Sequence, residues 1–459
     1  MLKGSFGNHS NGIIAMAVFV FVLTAVPKIN IRVGPVPFYF IDALVVLIVF
    51  YASKRPSFGV NPRPFQWIVL ALFSFAMIGE FVGFIYTGSI FEHAYQAVRI
   101  TLAFLVFYAT GQLIRTAEDL ELVIKAAALG VIVTAMIMIL TSLPQTRDIV
   151  VNSLLNNTFL DPAGERAAEK YLKKDDSGAR GRTLVGVSIL GASFINMAWP
   201  LAALLYSWPG KIGRWRTVAM IACFLAPMGV LMSYSRGPIV GTILIILFAL
   251  FFGLRRVRKG ILLPIVAGTV LVLFVGVNSQ IFFFERLTNR TTAVFEDPFS
   301  DERESERILA YVEPFEHLIE HPSFLVSGQG VAINKSRRVV PEVAGKSNHA
   351  LFAISYYANG MIAALLYMFL LGSAFFYALQ HVKGRRGGIG QYYSHALLAS
   401  VLGLAPWAIF GHAMISQPRG GMMFFFIFGL LTTLRHFPVH SNSPQNRETG
   451  HANSRHITV

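Results

Sequence analysis

Apolar runs recur along this chain between short polar stretches, and most approach the ~20 residues a helix needs to cross a bilayer core. Twelve runs begin near Ile13, Pro37, Gln66, Tyr95, Glu121, Leu184, Thr217, Gly237, Ile261, Leu351, Tyr392 and Gly421. Pro200 and Pro227 fall inside two of them, and helices in lipid tolerate this because neighbouring groups re-satisfy the freed backbone. The pattern predicts an all-α polytopic membrane helical bundle of about twelve transmembrane helices. The first run, Ile13 to Val26, follows a start containing Lys3, and no small-x-small cleavage site comes after it. It is expected to stay as the first helix rather than to leave as a signal peptide.

Loop charge sets the expected orientation. Alternate short loops are basic: Lys54, Arg55 and Arg63; Lys211, Arg214 and Arg216; Arg255, Arg256, Arg258 and Lys259; Lys383, Arg385 and Arg386. With twelve spans they all fall on one side, together with Arg447 and Arg455 of the tail. The positive-inside bias makes that side the cytoplasm and puts both termini there. The loop Thr87–His93 has no Lys or Arg, as an outer loop should.

The chain then divides into spans one to nine over 1–281, with an outer loop at about 144–182, a large outer loop over 282–348, spans ten to twelve over 349–438, and a polar cytoplasmic tail over 439–459, read as disordered. The large loop carries an amphipathic helix. Asp301 and Glu304 make a capping box, Ile308, Val312, Phe315 and Ile319 recur at helical spacing, and His321-Pro322 ends it. Such a helix suits a position on the membrane surface or over a cavity.

Composition agrees and excludes other classes. Charged residues are 14% of the chain, against about 25% in soluble domains, and 54% of residues are hydrophobic. The net charge of +15 reads as topology rather than nucleic-acid binding, since no RNA- or DNA-binding motif accompanies it. The lone cysteine, Cys223, lies in an apolar run, which excludes an internal disulfide and a Cys-based metal site.

Ionisable residues within spans are costly and by default suggest function. In this topology Asp42, Glu80, Arg99, Arg182, Arg236, His412 and Arg419 all fall in the outer part of spans or at their outer ends. Arg303 and Arg307 share a face of the loop helix, and His349 stands where the large loop enters span ten. Each has a structural explanation too. Arg236 and Arg419 can snorkel to the interface, Glu80 and Arg99 can form an ion pair between adjacent helices, Asp42 can cap or hydrogen-bond a neighbour, His412 can be a satisfied buried histidine, and Arg303 and Arg307 can be a solvated face. As a group, arginines on the outer side run against the positive-inside bias, and a lipid-linked pyrophosphate is the natural ligand because guanidinium binds phosphate bidentately.

Several short motifs then line up. Ser233-Tyr234-Ser235-Arg236-Gly237 at a span boundary resembles the Ser-Arg-Gly signature of the O-antigen ligase and polymerase superfamily. Arg307, Glu320-His321-Pro322, Gly328-Gln329-Gly330 and Ser347-Asn348-His349, followed by a span containing Asn359-Gly360, resemble its later stretch in order and spacing. Arg182 before Gly186 resembles the arginine that precedes an earlier span. The resemblance covers roughly Arg182 to Leu371. Asn commonly follows the family histidine, whereas here Asn348 precedes His349 and Ala350 follows it, and Asn359 stands where an acidic residue is frequent.

The resemblance implies an inner-membrane glycosyltransferase whose outer loops are periplasmic. It would move a glycan from undecaprenyl pyrophosphate to lipid A-core (ligase) or to a new repeat unit (polymerase), using neither nucleotide sugar nor metal. Arg182, Arg236, Arg303 and Arg307 are the expected pyrophosphate-binding residues, since preorganised cations stabilise the leaving group. His349 is the expected catalytic base for the acceptor hydroxyl. Glu80, Arg99, His412 and Arg419 are supporting candidates. No cofactor or metal is expected. The Glu316, His317, Glu320, His321 face has ligand-compatible spacing, but there is no Asp-x-Asp motif. A transporter of lipid-linked sugars is the rival reading, and it would show two related six-span halves, which this sequence does not. A non-catalytic assembly factor would have no reason to gather these charges at one depth.

Overall fold

A computed structural model describes residues 10–26, 29–33, 36–55, 64–142, 146, 149–150, 188–206, 208, 212–233, 235–252, 302–331, 350–384, 388–410 and 418–437. The elements in chain order are α1 (Asn11–Ala25), the strands β1 (Asn30–Val33) and β2 (Val36–Tyr39), then α2 (Phe40–Ser53), α3 (Pro64–Thr87), α4 (Ile90–Leu113) and α5 (Ala117–Ser142). After these come α6 (Ser188–Tyr206), α7 (Trp215–Met232), α8 (Arg236–Phe251) and α9 (Glu302–Glu320). The last four helices are α10 (Leu351–Asn359), α11 (Met361–Gly384), α12 (Gly388–Phe410) and α13 (Pro418–Thr433).

Six of the described helices, α3, α4, α5, α6, α7 and α11, are long and apolar enough to cross a membrane, and α1, α2 and α8 are shorter apolar helices. The chain is therefore a multi-pass helical membrane protein. Its centre is α6, in which every residue from Leu190 to Leu205 is buried, enclosed by α5, α7, α8 and α12. Around this core the outward faces carry large apolar side chains at helical spacing. Ile78, Phe81 and Ile85 on α3, and Leu365, Phe369 and Phe376 on α11, are exposed, as lipid-facing surfaces require.

The two ends of the bundle differ in charge. Arg55, after α2, donates to the Leu113 carbonyl at the end of α4 (3.2 Å). Arg115 follows α4 and bonds to Gln112. Lys125, near the start of α5, lies over the Trp215 ring at the start of α7. These basic positions share one end. The start of α4, the end of α3 and the starts of α8 and α13 lie at the other.

Two spans depart from expectation. The second is expected from Pro37, but Asn30–Val33 and Val36–Tyr39 pair as antiparallel strands with Asn30 opposite Tyr39 and Arg32 opposite Pro37, and the helix starts at Phe40. Proline has no backbone donor and is confined to sheet edges, and both strands of this two-stranded sheet are edges, so Pro37 fits within β2 rather than opening a helix. The tenth, expected to run on from Leu351, breaks at Gly360 (φ +92°). A Cβ there would sit 2.8 Å from the Ser327 nitrogen, so the chain beyond α9 occupies the gap between α10 and α11. The ninth span, the 144–182 loop apart from residues 146 and 149–150, and the tail beyond 437 lie outside the described residues.

The loop helix forms as α9, with Pro322 opening a short 3-10 turn behind it. It packs on α10 through a face containing Ala310 and His317, both buried. Of the expected stripe, Val312 (45%) and Ile319 (82%) are exposed, while Phe315, half-exposed, stacks its ring on Phe352 of α10 at 5.7 Å; the side chain of Ile308 lies outside the described residues. Asp301 of the expected capping box lies outside the described residues.

Candidate functional site

Two polar centres sit at the less basic end, both built on the first half of α4. His93, Gln96 and Arg99 recur three residues apart, so they share one face, and all are buried.

At the first centre Asp42, in the opening turn of α2, accepts the Tyr39 amide at 3.1 Å. The same oxygen accepts Arg99 Nη2 at 3.4 Å. The Arg99 guanidinium lies between two aromatic faces, 4.2 Å from the Tyr39 ring centre and 4.5 Å from that of Tyr95. Such cation–π contacts contribute about 0.5–2 kcal/mol each, more when desolvated. Arg419, at the start of α13, is buried. It donates through Nη1 to the Val26 carbonyl at the end of α1 (2.6 Å), where the negative end of the helix dipole favours a cation. Arg419 is thus no snorkelling side chain, and Asp42 both caps a helix and holds an arginine.

At the second centre Glu80 of α3 is buried and uses both oxygens. Oε2 lies 2.8 Å from His93 Nδ1, and Oε1 accepts the Val331 amide at 2.6 Å. Two further bonds seat this segment: the Gln329 amide donates to the Tyr357 carbonyl (2.9 Å) and the Gly330 amide to that of Ala358 (2.8 Å). Tyr357 and Ala358 end α10, where helix carbonyls lack intrahelical donors. Gly330 has φ +79°, and a Cβ on it would lie 2.9 Å from Glu80 Oε2. A Cβ on Gly83 or Gly328 would collide with backbone, of Gln329 and of Ala358 respectively. The Gly-Gln-Gly motif is therefore a close-contact seat between α3 and α10.

The expected Glu80–Arg99 ion pair does not form: Glu80 faces His93 and Arg99 faces Asp42. His93 and Arg99 stand six residues, about 9 Å, apart along α4, so Glu80 meets one and Asp42 the other. Sequence reading missed His93, Gln96, Tyr39 and Tyr95. The three-residue repeat of His93, Gln96 and Arg99 is the available signal, obscured because the apolar run begins near Tyr95 whereas the helix begins at Ile90. Four buried atoms on these faces make no hydrogen bond among the described residues: Asp42 Oδ1, His93 Nε2, Gln96 Nε2 and Arg99 Nε.

Arg236 is the first residue of α8, with Ser235 as its N-cap. Ser233 is the C-cap of α7, and its hydroxyl accepts the Ser235 amide (3.1 Å). Ser233 and Ser235 thus cap the facing ends of α7 and α8, and Arg236 opens α8 at the end where α4 and α13 also start. Arg303 and Arg307 lie in the first half of α9, but their side chains are outside the described residues, as are Arg182, His349 and His412 altogether.

Above α10 is an aromatic layer. His317 Nδ1 lies 2.8 Å from the Tyr356 hydroxyl, and its ring faces His321, Phe324 and Tyr357. The Tyr311 hydroxyl donates to the Ile409 carbonyl, tying α9 to α12, and burial pushes that hydroxyl up to about 12. His317 is directed at Tyr356 while Glu316 and Glu320 are exposed, and among the described residues no group of three His, Cys, Asp or Glu side chains is placed to hold a metal.

The fold and composition define a polytopic helical membrane protein. No family model matches the chain, and no curated protein matches it at a significant level.

Proposed function

We propose that this protein is a membrane glycosyltransferase of the O-antigen ligase type. It sits in the bacterial inner membrane through about twelve spans, with both termini cytoplasmic. It moves a polysaccharide from undecaprenyl pyrophosphate to lipid A-core or another acceptor on the periplasmic face.

One observation carries this reading. The motif residues Arg236 and Gly328-Gln329-Gly330, and the buried charges Glu80, Arg99 and Arg419, come from five separate stretches yet gather at the end of the bundle opposite Arg55 and Arg115. The positive-inside bias makes the Arg55 end cytoplasmic, so the gathered residues face the periplasm.

In the transfer, the acceptor hydroxyl attacks the anomeric carbon, and the bond from that carbon to the pyrophosphate oxygen breaks. His349 takes the hydroxyl proton, and undecaprenyl pyrophosphate leaves with the electron pair. Arg182, Arg236, Arg303 and Arg307 hold the pyrophosphate, where guanidinium geometry matches its oxygens. Arg99 and Arg419, engaged with Asp42 and Val26, contribute positive potential and hold the helices at this end rather than grip the donor.

The test is transfer by the purified protein in lipid nanodiscs, supplied with undecaprenyl-pyrophosphate glycan and lipid A-core. Wild type is expected to form the joined product and His349→Ala to lose it while staying folded. Product only with a second lipid-linked repeat as acceptor identifies the polymerase of the same superfamily. Movement of donor across the bilayer without a new glycosidic bond overturns the reading in favour of transport.

A further inference from the structure

We propose that Glu80 is a positioning residue for the transfer reaction, holding the chain at Val331 and, through α10, the chain at Ala350. This rests on the glycosyl-transfer reading for its consequence, though not for its geometry.

A carboxylate inside a membrane helix is costly, and Glu80 offsets that cost with two partners rather than one. Val331 bonds to Oε1, and His93 to Oε2. His93 therefore orients the carboxylate for the Val331 amide. Glu80 thereby joins α3 to a segment that also hangs from the last turn of α10 through Gln329 and Gly330. Ala350 is the N-cap of α10. Nine helical residues span about 13 Å, so Val331 and Ala350 are fixed on one small rigid unit. Val331 and Ala350 thus stand at the two ends of α10, which the seat ties to Glu80 and which also packs on α3, α9 and α11, and the residue preceding Ala350 is His349, the base of the proposed reaction. Glu80 touches no reacting atom in this scheme. It acts by fixing where α10 stands.

The seat has no slack. Gly330 adopts a left-handed conformation with Glu80 against it, and Gly328 lies against Ala358. A shift at Glu80 is therefore passed to α10 instead of being absorbed locally, as expected where close contacts leave no void.

The experiment compares Glu80→Ala, Glu80→Gln and Gly330→Ala in nanodiscs, reading amide hydrogen exchange over residues 327–331 and the kcat and donor KM of transfer. Glutamine keeps an oxygen for the Val331 amide and presents an N–H to His93 Nδ1. Glu80→Ala is expected to open the amides and lower kcat by about 10²-fold, the scale of a small misplacement of a catalytic group, with donor KM near wild type. Glu80→Gln is expected to restore both readouts. Gly330→Ala, which keeps the carboxylate, is expected to resemble Glu80→Ala and serves in its place should that variant fail to fold. Protected amides in both disrupting variants overturn the seat, and opened amides with unchanged kcat overturn the positioning role. A wild-type protein that transfers no glycan overturns the enzymatic reading and that role together, while the exchange arm still judges the seat.

Discussion

Glu80 and Val331 are 251 positions apart and are joined by a 2.6 Å hydrogen bond from the Val331 amide to the Glu80 carboxylate. The bond marks where the layer of α9 and α10 is registered on the membrane bundle. Its neighbours are glycines because backbone meets backbone there. Gly328→Val is expected to destabilise the protein by about 1–3 kcal/mol through overpacking. Gly372→Val on α11, where nothing lies within 4 Å, should be near neutral. Thermal unfolding in detergent compares them, and equal effects would remove the case for a tight seat.

Arg99 and Asp42 face one another, and Glu80 faces His93. A double-mutant cycle of Asp42→Asn with Arg99→Gln is expected to show coupling of about 0.5–3 kcal/mol, the range for contacting residues. The same cycle with Glu80→Gln should show none beyond error. Coupling in the second cycle alone would reverse the partner assignment. Arg99→Lys should recover little, because lysine lacks the planar group that lies between Tyr39 and Tyr95.

Arg419 holds the end of α1 through the Val26 carbonyl. Arg419→Gln is expected to cost about 1.5–3 kcal/mol, the scale of a hydrogen bond to a charged group. The loss should appear as faster hydrogen exchange at the end of α1. Unchanged exchange there would leave Arg419 available for ligand instead.

Tyr311 ties α9 to α12, and Tyr311→Phe should loosen α9 by about 1 kcal/mol. The pH dependence follows from the hydroxyl being the donor. Its folded value is raised from 10.0 to about 12, so the tie is fully present below pH 10 and weakens as pH rises through 12. Proteolysis within α9 should therefore be constant from pH 6 to 9 in wild type, after allowing for the protease's own profile. A wild-type change in that window, absent in Tyr311→Phe, would contradict this.

Much of the local architecture was legible in the chain. Long apolar runs announced most helices, since crossing lipid demands unbroken apolar length. His321-Pro322 announced the end of α9, where His321 leaves the helical region ahead of the proline, although Pro314 is carried inside the same helix. Of the basic loops, those carrying Lys54 and Arg55, and Arg214 and Arg216, fall at one end as the chain suggested, while those at 255–259 and 385–386 lie outside the described residues. The paired strands Asn30–Val33 and Val36–Tyr39 and the break at Gly360 were not legible, because a Pro-containing apolar run and an Asn-Gly pair are each compatible with a continuing span.

Sequence alone determined that this is a helical membrane protein with charges biased to one side, because hydropathy and charge are properties of residues taken one at a time or in periodic sets. It also marked Glu80, Arg99, Arg236 and Arg419 as residues lipid would not retain without cause. Only the tertiary structure decided which partner each one meets. Partner choice depends on how two helices lie against each other: His93 and Arg99 stand six residues, about 9 Å, apart along α4, and only the packing of α3 on α4 decides which of them Glu80 meets. The role of the Gly-Gln-Gly motif was decided in the same way, by the carbonyls of α10 and the carboxylate of α3 closing around it.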